Sequence, residues 1–534
     1  MSEIGGIQLV FLLLLVFVIV FGLLARKIGT PYPIVMVIGG LILGIIPGIP
    51  DITLNPDLIF LVVLPPLLYA AAWTTSWRDF RYNIVSIFLL AFGLAAFTVV
   101  GVALIAPAVF AGFDWRLGFV LGAVVAPTDA IAATSIARRV GLPARIVDIL
   151  EGESLINDAT GLLALQIATG LLVHKRAPTL AGAILTFAWL IAGGILLGLL
   201  VGWLVDRIER HINDGPIEII LSILVPYTAY LAAEKIHASG VLAVVACGLF
   251  LSRRSVTFFS APVRIQIWSV WDPLNYVLNC LVFVLFGLQR PQIRRAIGGY
   301  ALSTLVMDGA VFSALLILLR LAWTFPGARV AWLIRTRLGH QRERPPSARA
   351  TFVIGWTGMR GVVSLAAALA LPTLLADGSP FPQRNLIVFL TFCVIFVTLV
   401  LQGVTLPPLI RALGLAGATG PNCEEREARR ILAQAAVTHL ESAKVRDDEQ
   451  SAPAYDDLIL HYRQRLATLQ PRDSRDEDAD EDDRQTGLSL EALRIERHTL
   501  IRLRDEGRIN DEVLRRIERE LDLTESRTAA EEAR

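Results

Sequence analysis

The run 145–173, RIVDILEGESLINDATGLLALQIATGLLV, is apolar and long enough to cross a bilayer, yet Glu151, Glu153, Ser154, Asn157 and Asp158 sit near its middle. A carboxylate at the centre of a membrane helix costs on the order of 3 kcal/mol even on lenient insertion scales, so acids held there mark the path of an ion or a proton. At about 100° per residue, Glu151, Ser154, Asp158 and Gly161 share one stripe, with Glu153, Asn157 and Thr160 on the stripe beside it. The polar groups therefore point one way, into protein or a wet cavity. The chemistry within their reach is reversible binding, because a desolvated carboxylate holds either a proton or a small cation, and nearby oxygens complete a cation's shell.

Two further apolar stretches break where polar groups occur. In GAVVAPTDAIAATS, 122–135, Pro127 removes a backbone donor and frees a carbonyl one turn earlier, which predicts an unwound segment. Interrupted backbone at mid-membrane persists only buried against protein or lining a wet cavity, where its carbonyls and half-helix ends bind ions. Thr128 offers a hydroxyl and a carbonyl there, and Asp129 suits the positive end of a half-helix. In IGWTGMRGVVS, 354–364, Gly355, Gly358 and Gly361 surround Arg360, which lies about ten residues from the nearer end of its span and needs carboxylate or carbonyl partners. The bland alternatives are a kinked packing helix and a snorkelling arginine.

Positioning these groups takes a polytopic bundle. The 534 residues are 54% hydrophobic and 18% charged, with mean hydropathy +0.59, the balance of an all-α polytopic membrane protein with a soluble appendage. The net charge of +1 predicts no nucleic-acid partner. Cys247, Cys280, Cys393 and Cys423 have neither metal-ligand spacing nor a disulfide framework and read as packing residues. The run 7–25 follows an acidic start and lacks a small-residue cleavage site, so it reads as a retained membrane helix.

About thirteen apolar windows recur up to residue 411. The broken stretches fall in the fifth, 115–138, and the twelfth, 350–375, with the acid-bearing run as the sixth and 179–205 as the seventh. Breaks seven spans apart predict inverted repeats joined by the seventh span, with two discontinuous helices crossing mid-membrane, the plan of a secondary transporter. Short loops on one side hold roughly eighteen Lys and Arg against about eight on the other, which puts the N-terminus outside and the C-terminus in the cytoplasm. The loop with Arg290, Arg294 and Arg295 fits this least well.

After Asn422 the composition changes to charged helical patterns. Residues 424–469 read as amphipathic helices interrupted near Pro453, 472–484 (RDSRDEDADEDDR) as a disordered acidic linker, and 488–525 as helical again. The predicted domains are a membrane unit, 1–415, and a partly disordered helical tail, 424–534. The tail carries no nucleotide-binding loop, metal cluster or nucleophile motif, so packing on itself, on a second subunit or on a regulator is the expected role.

Together GESLINDATGLLA, APTDA, LPPLLYAAAW, Arg320 followed by LAWTFP, and WTGMRGVVSLA resemble the monovalent cation/proton antiporters of the NhaP and sodium/proton exchanger branch, over about residues 7–411. The tail resembles the charged extensions of bacterial members. The resemblance implies that Asp158 is the ion- and proton-binding carboxylate, with Ser154, Glu153 and Thr128 as further ligands of the transported cation and Asn157 as a structural partner. It implies that Asp129 caps a broken-helix end, that Arg320 pairs with Glu153, and that Arg360 organises the second broken helix. It implies a moving core of spans 4–6 and 11–13, a dimerising scaffold of spans 1–3 and 7–10, a homodimer in the inner membrane, and no cofactor. One departure is that relatives often carry an acid shortly after LPPLL, where this chain has Ala70, Ala71 and Ala72. Glu151 remains a candidate funnel residue.

The expected activity is exchange of Na⁺, Li⁺ or K⁺ for H⁺ by competition at Asp158, serving pH and salt homeostasis. The related electrogenic branch has Asp-Asp where this chain has Asn157-Asp158, so one proton per cation and no net charge are expected. A K⁺-selective antiporter is the near alternative. A channel or voltage sensor would need a filter motif or regularly spaced arginines. An intramembrane protease using Asp129 and Asp158 would need a GxGD-type motif, so the chain is not expected to be an enzyme.

Overall fold

The computed structural model describes residues 3–46, 56–173, 180–212, 214–259, 261–289, 301–338, 345–375, 377–417, 422–445 and 452–468, with scattered positions in 293–297 and beyond 494. Among them all named elements are helical, and the chain divides into two units, Met1–Thr419 and Gly420–Arg534. The acidic run 472–484, most of 488–525, the Cys423 side chain, and Arg290 and Arg295 lie outside the described residues.

The first unit begins with α1 (Glu3–Ile28) and α2 (Tyr32–Leu43), then α3 (Pro56–Thr74) and α4 (Trp77–Val109). The short helices α5 (Trp115–Val125) and α6 (Ala130–Val140) form a pair bent by 43°. The long α7 (Ala144–Val173) follows, then α8 (Leu180–Glu209), α9 (Gly215–Lys235), α10 (Gly240–Phe258), α11 (Ala261–Leu288) and α12 (Leu302–Leu338). A second broken pair, α13 (Ala348–Trp356) and α14 (Val362–Leu369), precedes α15 (Arg384–Ala412).

Eight of these helices are long and apolar enough to cross a membrane, and the bent α5–α6 pair makes a ninth among the described residues. The count of about thirteen crossings is not reached on length and apolarity, partly because α2 has 12 residues and the α13–α14 pair is split into pieces of 9 and 8. Hydropathy windows merge broken pieces that the backbone keeps separate.

Side chains such as Leu104, Leu196 and Leu318 lie on the outside of the bundle, where lipid replaces water as the surrounding solvent. Inside, one apolar cluster joins Val120, Phe283, Phe286 and Leu390, and another joins Tyr69, Val201, Ala243 and Cys247. Close approach of helices comes from small residues, as membrane packing requires. A Cβ on Gly198 of α8 would lie 2.2 Å from the Ala243 carbonyl of α10, and one on Gly40 of α2 would lie 2.3 Å from the Val284 carbonyl of α11. Cys247 and Cys280 are buried free thiols, and Cys393 is half-buried.

The second unit contains α16 (Asn422–Lys444) and α17 (Ala452–Thr468). Lys444 meets Asp456 at 2.5 Å and Arg463 meets Glu441 at 2.7 Å, so the two helices run antiparallel. Exposed ion pairs contribute little. Ala433, Val437 and Ile459 are buried, and burial of apolar side chains stabilises more than exposed ion pairs do.

Candidate functional site

Breaking a membrane helix exposes two charged ends, a C-terminal set of carbonyls and an N-terminal set of amides. The two broken pairs each expose both, and the sequence places a matching side chain at each. The C-terminal end of α5 is satisfied by Arg360, whose Nη1 donates to Ala126 O at 2.7 Å and Pro127 O at 3.2 Å. At the C-terminal end of α13, Arg320 Nη2 donates to Ile354 O at 3.1 Å. Asp129 caps the N-terminus of α6, with Oδ1 accepting from Ile131 N at 2.8 Å.

The two breaks touch. Asp129 N donates to Met359 O at 2.9 Å. A Cβ on Gly361 would lie 2.6 Å from Asp129 Cβ and 2.7 Å from Oδ2, so this carboxylate also lies against the residue that opens α14. One aspartate thus lies beside the N-terminal ends of two half-helices. Beside the second break, α15 passes through a π-turn at Thr398–Gln402, where Thr398 Oγ1 accepts from Arg360 N at 3.1 Å.

The long helix α7 lies against the first break. Ser154 Oγ donates to Thr128 O at 2.8 Å and accepts from Ala130 N at 3.3 Å. Asn157 Nδ2 donates to Ala126 O and to Thr128 Oγ1, both at 3.2 Å, and the Thr128 hydroxyl in turn donates to Glu153 Oε1 at 3.1 Å. Glu153 is claimed by Arg320 as well, in a two-pronged ion pair at 2.5 and 2.9 Å. Exposure of these two residues is 1% and 2%, which makes the pair fully desolvated. Glu153, expected among the cation's ligands, is therefore turned toward arginine and threonine and away from the cavity. Gly161 lets α7 close on the break, since a Cβ there would meet Pro127 at 2.5 Å.

Asp158 differs from its neighbours. It is 7% exposed and, among the described residues, makes no hydrogen bond or ion pair. It borders a cavity of about 350 Å³ together with Thr128, Asp129 and Ser154. The cavity reaches Glu151 and Arg138, which pair at 2.7 Å at the end of the bundle where α6 finishes and α7 begins. Ala70 and Ala71 also line it. Two residues that sequence reasoning passed over, Asn275 and Asn279 of α11, line it as well. Their signal was a pair of amides four apart in an otherwise apolar stretch.

Two touching, charge-capped breaks beside a cavity bordered by an acid without a counter-ion among the described residues define a multi-pass secondary transporter. The sodium/hydrogen exchanger transmembrane family matches residues 12–412, and the chain belongs to that family. It is 35% identical over 536 residues to an uncharacterized Na(+)/H(+) exchanger of Mycobacterium tuberculosis, covering 97% of this chain and 95% of that protein. It is 34% identical over 414 residues to the sodium, potassium, lithium and rubidium/H(+) antiporter of Bacillus subtilis, covering 76% of this chain and 61% of that protein. The solved sodium proton antiporter MjNhaP1 of Methanocaldococcus jannaschii shares the fold, with a TM-score of 0.57 at 19% identity over 76% of this chain and 99% of that one.

Proposed function

We propose that the chain exchanges Na⁺ for H⁺ across the cell membrane, one for one, at Asp158. The observation that carries this reading is the contrast among the buried acids. Glu153 is neutralised by Arg320 and Asp129 serves half-helix ends, while Asp158 borders the cavity with no hydrogen-bond or ion-pair partner among the described residues. A lone desolvated carboxylate binds either a proton or a cation, and each restores the same net charge at the site. Both loaded forms then cross with equal charge, and the empty, charged site does not cross.

Ser154 and Thr128 supply the neutral ligands. Each hydroxyl has donated its proton and accepted one, so one lone pair remains on each oxygen for a cation. Glu153, Asn157, Asp129, Arg320 and Arg360 hold the frame. The core of α4–α7 and α12–α15 moves against a scaffold of the remaining membrane helices, which pairs with a second copy. Loop charge assigns the open end of the cavity, at Arg138 and Glu151, to the cytoplasm, so the site faces inward. The name of the Bacillus relative, spanning four alkali cations, supports a site that takes Na⁺ with Li⁺ and K⁺ as competitors.

The test is Na⁺-driven pH recovery in proteoliposomes. Asp158→Asn is expected to abolish exchange while the purified protein stays monodisperse. Recovery at the wild-type rate in that variant refutes the assignment.

A further inference from the structure

The α11 wall of the cavity is polar where the surrounding sequence, WDPLNYVLNCLVFVLFGL, is apolar. Asp272, Asn275 and Asn279 stand at i, i+3 and i+7 and share one face. Asn275 and Asn279 line the Asp158 cavity, and Asn275 also lines a second cavity of about 40 Å³ that reaches Asp272, an exposed residue. The stripe therefore runs from the surface into the cavity that Asp158 borders.

Hydrogen bonding orients the amides. Asn279 Nδ2 donates one of its two hydrogens to Asn275 O at 2.9 Å, and its oxygen is free of any such tie to its own helix. Asn275 Oδ1 is buried and, among the described residues, accepts no hydrogen bond. A buried acceptor without a donor loses its hydration with nothing in return, so it calls for a water or a cation. Amide oxygens are hard, neutral ligands of the kind that replace the hydration shell of an alkali ion. They also stay neutral across the working pH range, so they attract a cation without taking its competitor, the proton.

We infer that Asn275 and Asn279 form a neutral-oxygen subsite that takes a partly dehydrated alkali cation and passes it to Asp158. This rests on the reading of Asp158 as the exchange site. The subsite sits on a helix of the scaffold, so the cation changes partners from scaffold to core before the core moves.

The test measures exchange kinetics of the full chain in proteoliposomes for Na⁺ and K⁺. Asn275→Leu and Asn279→Leu are each expected to raise KM for Na⁺ about tenfold, the factor equivalent to 1.4 kcal/mol of lost ligation, with kcat within about twofold. The pH midpoint at saturating Na⁺ is expected to stay in place, since no proton site is touched. Asn279→Ser, which keeps an oxygen, is expected to retain a KM within about threefold of wild type. Unchanged KM in both leucine variants overturns the subsite and leaves the amides as holders of water. If the leucine variants do not fold, Asn275→Asp decides, because a charged oxygen there is expected to lower KM for Na⁺ and an unchanged KM overturns the subsite. Exchange that survives Asp158→Asn overturns the parent reading instead.

Discussion

Glu153 and Asp158 are both buried acids on one helix, five residues apart, yet their surroundings give them opposite work. Glu153 lies in a desolvated pair with Arg320, and removing one partner leaves a buried charge with no counter-ion, at a cost of about 3–5 kcal/mol. Glu153→Gln is therefore expected to lower the thermal unfolding temperature of the detergent-solubilised protein. A double change, Glu153→Leu with Arg320→Met, is expected to recover much of that loss because no charge remains uncompensated. Asn157 points to a related constraint. Both hydrogens of its amide are donated, to Ala126 O and Thr128 Oγ1, so Asn157→Asp sets an acceptor against a carbonyl. It is expected to lose about 1–3 kcal/mol in an unfolding experiment.

At the scale of elements, four half-helix ends meet within one crossing, and the side chains there follow the sign of each end. Arginines serve the C-terminal ends of α5 and α13, and Asp129 caps the N-terminal end of α6 while lying against Gly361, the residue before α14. Such close approach needs a residue without a side chain. Gly361→Ala would put its Cβ 2.6 Å from Asp129 Cβ, and the repacking is expected to cost about 1–3 kcal/mol and to slow exchange, read from unfolding and transport assays. Gly170, on α7, is a useful control, because a Cβ there meets nothing within 4 Å. Gly170→Ala is expected to be neutral or stabilising by up to ~1 kcal/mol from helix propensity, with exchange unchanged.

For the whole molecule, the proposed competition at one carboxylate sets the expected pH response. Lowering the pH fills Asp158 with protons, so the apparent KM for Na⁺ is expected to rise, approaching tenfold per pH unit in the fully competitive range. One-for-one exchange, as proposed, gives the two loaded forms equal charge and makes transport indifferent to voltage. A potassium diffusion potential at zero pH gradient is expected neither to drive nor to accelerate it. All the residues assigned to the site precede the second compact unit, which begins at Gly420. Deleting residues 424–534 is accordingly expected to leave KM for Na⁺ within about twofold in the same proteoliposome assay.

Much of this protein was legible in one dimension because the bilayer penalises unneeded polarity so heavily. Asp158, Thr128, Asp129 and Arg360 stood out as polar groups in spans that apolar residues would have built more cheaply, and helical periodicity sorted the acids of α7 onto two neighbouring stripes. Periodicity assigns faces without saying what lies opposite. Only the tertiary structure put the stripe with Glu151, Ser154 and Asp158 on the cavity, and turned Glu153 and Asn157 toward Arg320 and the α5–α6 break. Only it brought Asn275 and Asn279 to the same cavity, since a neutral amide costs far less in an apolar helix than a charge and leaves a faint mark on the sequence. Chemistry can be read locally where burial is expensive, whereas partnership depends on which distant helices the packing brings within reach.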